Sequence, residues 1–272
     1  PNNYMGEFIN YNIDKNKFIT VDHHLSHAYC SYFLSEFDEA LIIVIDGSGN
    51  NSDTESYYIG KNNTITKIGG NNEKRDKYKG IGRTYETFSN FCGYSAQQAG
   101  KTMGLSAYGK MKYPDIRLYD INDDMEISSR CDGKYIEGSL NFIKKYNLDF
   151  GKPLSGFENK DAAFFLQYET EKIILELVNK LYDKYKIKKL CLAGGVFLNG
   201  VINQKILDET PIEEIYVPPC CDDTGQSLGN ALYGYHHYYN NEKRNNLTTP
   251  YLAREYTDDE ILDVLEKKQV IY

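Results

Sequence analysis

The sequence predicts an α/β fold built on a mixed sheet, and two patterns carry that expectation. Residues 40–46 (ALIIVID) form a continuous apolar run rich in β-branched side chains, as in a central strand buried on both faces. In the second half, strand-like and helix-like segments alternate, which implies a parallel βαβ unit. Short strands bounded by turn residues in the first half add a β-meander.

Taken in order, Phe18–Asp22 (FITVD) reads as a short buried strand. It runs into HHLSHAYCSYFLS, whose apolar positions recur at helical spacing. After the 40–46 strand come the turn cluster Gly47-Ser48-Gly49-Asn50-Asn51, a second strand near Ser56–Ile59, a turn at Asn62-Asn63 and a third strand over Thr64–Ile68. Residues 69–83 are polar and Gly-rich and are expected to form a loop. A helix is predicted over Tyr85–Phe91, followed by the glycine-punctuated segment Gly100–Gly109 (GKTMGLSAYG). Residues 110–158 show little periodicity and read as an insertion or a lid. The long amphipathic pattern of Lys160–Lys186 predicts a helix that feeds a strand at Lys189–Ala193 (KLCLA). Gly194-Gly195 then opens a helix through Leu207, Glu214–Val217 makes another strand, and Asp223–His237 another helix. Asn240–Pro250 is a polar linker, after which Asp258–Lys267 begins a further unit.

A net charge of -8 argues against a protein that wraps nucleic acid by general electrostatics and favours no membrane surface. It leaves room for a small anionic ligand, because backbone amides and a metal can hold phosphate without a basic surface. The apolar runs are too short to cross a bilayer, and no charged-then-apolar leader follows Pro1. The six cysteines include no CxxC pair and read as reduced thiols, so a cytoplasmic protein is expected.

His23 and His27 lie four residues apart at the start of a predicted helix, which puts both imidazoles on one face, where they can share a cation. The same spacing also suits surface or core histidines. A zinc-peptidase reading fails, since His24 stands where that motif needs a glutamate. A two-histidine site needs a carboxylate as third ligand. Asp223, opening a late helix, is a candidate; it equally suits an N-cap. Asp46-Gly47-Ser48-Gly49 could bring backbone amides against a phosphate, or be a plain hairpin turn. Gly194-Gly195, between a parallel strand and a helix, places unsatisfied amides where open α/β sheets bind nucleotides. Neither G-x-G-x-x-G nor a Walker A loop occurs. Lys101 can pair with a phosphate or simply be solvated.

In order along the chain, these features are similar to one family. The run VDHHLSHAYCSYFLSEFDEALIIVIDGSG resembles the opening block of the O-carbamoyltransferases of nodulation and antibiotic biosynthesis. GIGRTYETFSNFCGYSAQQAGKTMGLSAYGK, DAAFFLQYETE, LAGGVFLNGVINQKI and VPPCCDDTGQSLGNAL resemble its later blocks. The resemblance implies an actin-like ATPase (ribonuclease H-like) fold, related to the tRNA threonylcarbamoyladenosine synthesis protein. It implies a divalent metal, commonly Fe2+, held by His23, His27 and Asp223, the last fixed in register by Gly225 and Gly229. Gly194, Gly195 and Asn199 match the segment that holds ATP, with Gly47, Gly49 and Gly225 as further nucleotide contacts. Asp46 and Lys101 fall in motifs near the reacting phosphates and are the candidate catalytic residues. The implied reaction moves a carbamoyl group from carbamoyl phosphate, through carbamoyl adenylate, to a hydroxyl of a small molecule such as a sugar or natural product. A tRNA threonylcarbamoyladenosine-type transferase and a non-catalytic nucleotide-binding homologue are the alternatives.

The family starts with a strand bearing a phosphate loop, and nothing before Tyr11 resembles it. PYLAREYTDDEI resembles the entry to the family's C-terminal, carbamoyl-adenylate-forming domain. The expected organisation is a metal- and nucleotide-binding domain over 1–245, then a linker and the start of a second domain over 246–272, with the fold incomplete at both ends.

Overall fold

A computed structural model describes residues 18–72, 80–244, 249–250 and 254–270. Its centre is β1 (Glu39–Ile45), flanked on one side by β2 (Asp53–Lys61) and β3 (Thr64–Asn72). On the other side lie β6 (Lys189–Ala193) and β7 (Glu214–Tyr216), giving the order β3-β2-β1-β6-β7. The β1–β2 and β2–β3 pairs are antiparallel, whereas β1–β6 and β6–β7 are parallel. This is the expected mixed sheet: a meander on one side, a βαβ unit on the other.

The apolar run of β1 is explained by its two buried faces. Leu41, Ile43 and Ile45 pack into one core with α2 (Ile81–Phe91) and the long α5 (Lys160–Tyr185). Ile42 and Val44 point to the opposite face, against Ala28, Tyr32 and Phe33 of α1 (His23–Leu34). Alternate side chains leave a strand on opposite sides, so a strand covered by helices on both faces has no polar side. The remaining elements are α3 (Ala99–Ser106), the hairpin β4 (Tyr119–Ile121) and β5 (Ile127–Ser129), α4 (Tyr135–Lys145), α6 (Gly200–Glu209), α7 (Gln226–Tyr233) and α8 (Asp258–Lys267). No described helix is long and apolar enough to cross a membrane.

Four expectations are corrected. Phe18–Asp22 is not a buried strand: it is partly exposed, with Ile19 at 49%, and it pairs with no described strand. Its β-branched residues have no ladder to join, and Asp22 instead caps α1 by accepting from Leu25 N–H. The predicted loop over 69–83 is structured at both ends. Gly69 and Gly70 continue β3 against Ser56 and Tyr57, and Ile81 opens α2, while 73–79 lie outside the described residues. Residues 110–158 are no separate lid. Leu118, Tyr119 and Phe142 are buried in the main core, and Glu169 of α5 accepts from Leu118 N–H at 2.7 Å. The helix expected over Asp223–His237 is three joined pieces: a 3-10 turn (Asp223–Gly225), α7 and a π turn (Gly234–Tyr238). The boundary expected at 245/246 and the segment before Tyr11 lie outside the described residues.

Candidate functional site

Helix α1 starts immediately after its cap, so His23 sits in its first turn and His27 one turn below, on the same face. His24 turns the other way into the protein, where its Nδ1 lies 2.8 Å from Ser56 Oγ. Gly49 presses on that ring: a β-carbon there would stand 2.7 Å from His24 Cδ2. His23 is further fixed by its own N–H, which donates to Asn50 Oδ1 at 2.7 Å.

Asp46 follows the last residue of β1, at the end of the most buried strand of the sheet. One of its oxygens accepts from Gly195 N–H at 3.3 Å, and the other lies 3.0 Å from His23 Nε2. The 220s loop brings the fourth group. Asp222, not Asp223, is the N-cap, accepting from Thr224 N–H. That leaves the Asp223 carboxylate to face the imidazoles, 3.2 Å from His23 Nε2 and 3.3 Å from His27 Nε2. Close packing of α7 on α1 sets this approach. Gly229 lies so near α1 that a β-carbon would stand 2.1 Å from Ser26 O, and Gln226 Nε2 donates to His23 O at 3.2 Å.

One donor atom from each of His23, His27, Asp46 and Asp223 thus falls within 4.8 Å of every other. Burial opposes charge on His23, but the Asp46 hydrogen bond and the nearby Asp223 carboxylate raise its pKa above the ordinary 6.5. Burial also opposes charge on Asp46, yet the His23 hydrogen bond, the close His27 imidazole and the Gly47 amide hold it well below the usual carboxylate range. Asp223 is raised by partial burial and by the like charge of Asp46. His24 is pushed down to about 4, by burial first and then by His23.

Two features of this cluster suit a divalent cation. His27 is buried, and its Nε2 makes no hydrogen bond although carboxylate oxygens lie 3.3 and 3.5 Å away. Two carboxylates also share the small volume, an arrangement that a cation between them relieves. A donor set of two imidazole nitrogens and two carboxylate oxygens suits a divalent first-row metal ion.

Beside the cluster opens a cavity of about 640 Å³ whose lining includes Asp46, Gly47, Gly195, Asn199 and Asp223. Gly194 adopts φ +93°, and a β-carbon there would stand 2.2 Å from Ile45 O, so only glycine lets β1 and β6 end this close. Asn199 caps α6 by accepting from Ile202 N–H, and donates through Nδ2 to Gln167 Oε1 at 2.8 Å. Gly225 is a packing position, its missing β-carbon 2.2 Å from Cys220 O. Lys101 stands apart: it is exposed on α3 with its Nζ 5.9 Å from the Tyr94 ring centre, while its neighbour Gly100 lines the cavity. Sequence reasoning missed Asp46 as a member of the histidine cluster, and Arg83 and Glu86 as cavity residues. The legible signal was the strand-ending acid in the first case. In the second it was a charged pair three apart at the start of a helix.

Residues 6–232 match the model of the carbamoyltransferase N-terminus. The chain is 32% identical over 260 residues to the uncharacterized protein sll1178 of Synechocystis sp., covering 88% of this chain and 41% of that protein. It is 28% identical over 225 residues to the nodulation protein NolNO of Sinorhizobium fredii, covering 81% of this chain and 32% of that one. It is 23% identical over 229 residues to the tRNA N6-adenosine threonylcarbamoyltransferase of Lactiplantibacillus plantarum, covering 81% and 61%. The chain therefore spans well under half the length of the first two. Among solved structures, full-length HypF in its phosphate- and nucleotide-bound form aligns with a TM-score of 0.48 at 17% identity, over 79% of this chain and 42% of that one. The chain belongs to the carbamoyltransferase family, whose N-terminal part it carries on a mixed α/β fold.

Proposed function

We propose that this chain provides the metal- and nucleotide-binding site of an ATP-dependent O-carbamoyltransferase. The observation that carries the reading is the meeting of His23, His27, Asp46 and Asp223 at the edge of the cavity lined by Gly195 and Asn199. Under it, carbamoyl phosphate loses phosphate to water, and the carbamate formed takes the adenylyl group of ATP with release of pyrophosphate, giving carbamoyl adenylate in a C-terminal domain to which residues 246–272 lead; the later transfer releases AMP. The acceptor, a hydroxyl-bearing small molecule such as a sugar or natural product, then takes the carbamoyl group in this cavity.

His23, His27, Asp46 and Asp223 would hold a divalent ion, with Fe2+ the expected one, and that ion would supply Lewis acidity toward phosphate or hydroxyl oxygens. The Gly195 amide, at the end of β6, anchors Asp46 and keeps its second oxygen turned to the histidines. Gly47 and Gly195 leave the cavity floor without side chains, so a phosphate can approach the backbone. Tyr85 and Asn199, both tied to Gln167 Oε1 at 2.8 Å, fix one wall of the cavity against rearrangement.

Metal analysis and carbamoyl transfer by the full-length protein test this reading. We expect about one divalent ion per chain, lost together with transfer in the His23→Ala/His27→Ala double variant. Absence of any divalent ion, with full activity kept by the double variant, would sink it. The tRNA threonylcarbamoyl alternative is separated by offering tRNA beside a panel of hydroxylated small molecules.

A further inference from the structure

Arg83 is the one cationic side chain among the described residues that line the cavity. It shares that lining with the carboxylates of Asp46, Glu86, Asp222 and Asp223. Its position follows from the packing of α2. A β-carbon on Gly82 would lie 2.7 Å from Asp46 O and 3.1 Å from Gly47 N, so the first turn of α2 rests directly on the chain leaving β1. The next residue is Arg83, and its Cζ lies 3.9 Å from where a Gly47 β-carbon would stand. One turn on, Glu86 accepts from Arg83 Nη1 at 2.9 Å, with the two side chains only 33% and 16% exposed. The guanidinium is thereby oriented at the cavity wall, beside the loop that starts with the cluster member Asp46.

A cavity with four carboxylates repels an anion. A cation held by the cluster answers Asp46 and Asp223, and a phosphoryl group beside it still needs positive charge from the cavity wall. A guanidinium stays charged at every relevant pH and presents its donors in a planar fork that fits phosphate oxygens.

We propose that Arg83 is the residue that holds the phosphoryl group of the ligand in this cavity, with Glu86 as its positioning partner. The proposal rests on the nucleotide-binding reading above and adds the group that recognises the phosphate. The phosphoryl group is common to ATP and carbamoyl phosphate, and separate titrations tell the two apart.

Calorimetric titration of the full-length protein, with and without Fe2+ under anaerobic conditions, tests it. ATP, adenosine and carbamoyl phosphate are each offered to wild type, Arg83→Ala and Arg83→Lys. For Arg83→Ala we expect the Fe2+-dependent part of ATP or carbamoyl phosphate binding to weaken by about ten- to a hundredfold, the range of a lost charged hydrogen-bond pair. Arg83→Lys should recover part of it, while adenosine and Fe2+ affinities stay at wild-type values. Loss confined to ATP assigns the group to the nucleotide, and loss confined to carbamoyl phosphate assigns it to the donor. Wild-type phosphate binding in Arg83→Ala overturns the proposal, as does an equal loss for adenosine. Failure of the carbamoyltransferase reading looks different: the wild type takes up no divalent ion. In that protein, ATP binding that falls with Arg83→Ala still supports the assignment, and binding that does not fall overturns it.

Discussion

Asp223 and Asp46 carry the same charge to the same point, and Asp223 is by far the more exposed of the two. Asp223 is 70% exposed at its side chain and is pressed by a like charge. Without metal, Asp223→Ala removes repulsion and should leave the unfolding free energy within about 0.5 kcal/mol of wild type, or slightly above it. With metal, the same variant lacks a ligand, and the rise in melting temperature on adding Fe2+ should shrink markedly. Paired thermal melts with and without the ion read both effects, and a metal-free loss of several degrees would contradict the argument. Gly194 is the opposite kind of residue, buried beside the site and fixed by geometry. Gly194→Ala forces a β-carbon onto Ile45 O from a positive φ and should destabilise by about 2 kcal/mol or more, seen as a lower urea midpoint.

At the level of elements, much was legible in the sequence wherever one period dominates. β1, α5 and β6 stand within a residue of their predicted limits, because a two-sided apolar run and a long amphipathic stripe each have a single reading. The hairpin β4–β5 has strands of three residues, too short to show any period, and the core contributions of Leu118 and Tyr119 were hidden for that reason. Of the site, helical spacing put the two histidines on one face, and only the family resemblance made them candidate ligands. The company of Asp46 depends on which strand end lies beside α1, a tertiary fact that no local pattern carries. Two predictions belong here. Gly229→Ala should push α7 off Ser26 and with it the Asp223 turn, weakening metal affinity as well as stability; titration with a competing chelator measures the first. Glu169 is 1% exposed and receives Leu118 N–H together with Arg117 Nε. Glu169→Ala leaves the buried Leu118 N–H unpaired and takes from Arg117 one of its two carboxylate partners, and should cost about 1–3 kcal/mol in urea unfolding, with metal uptake of the folded fraction unchanged.

Across the whole molecule, the cluster ties three separate pieces of chain to one point: α1, the end of β1 and the turn before α7. A ligand that binds only the folded state stabilises it by mass action, about 2.7 kcal/mol at a hundred times its dissociation constant. Chelation of the full-length protein should therefore lower its melting temperature, and restoring the ion should return it. The tie has a temporal side as well. Two hundred residues separate His23 from Asp223, and both must be joined before the donor set exists. During synthesis the imidazoles leave the ribosome long before their distant carboxylate partner, so tight loading of the ion must wait until β6, β7 and the following turn have docked. Ion capture then marks the closing of the domain, and a ribosome-bound chain arrested before residue 223 would be unable to achieve it.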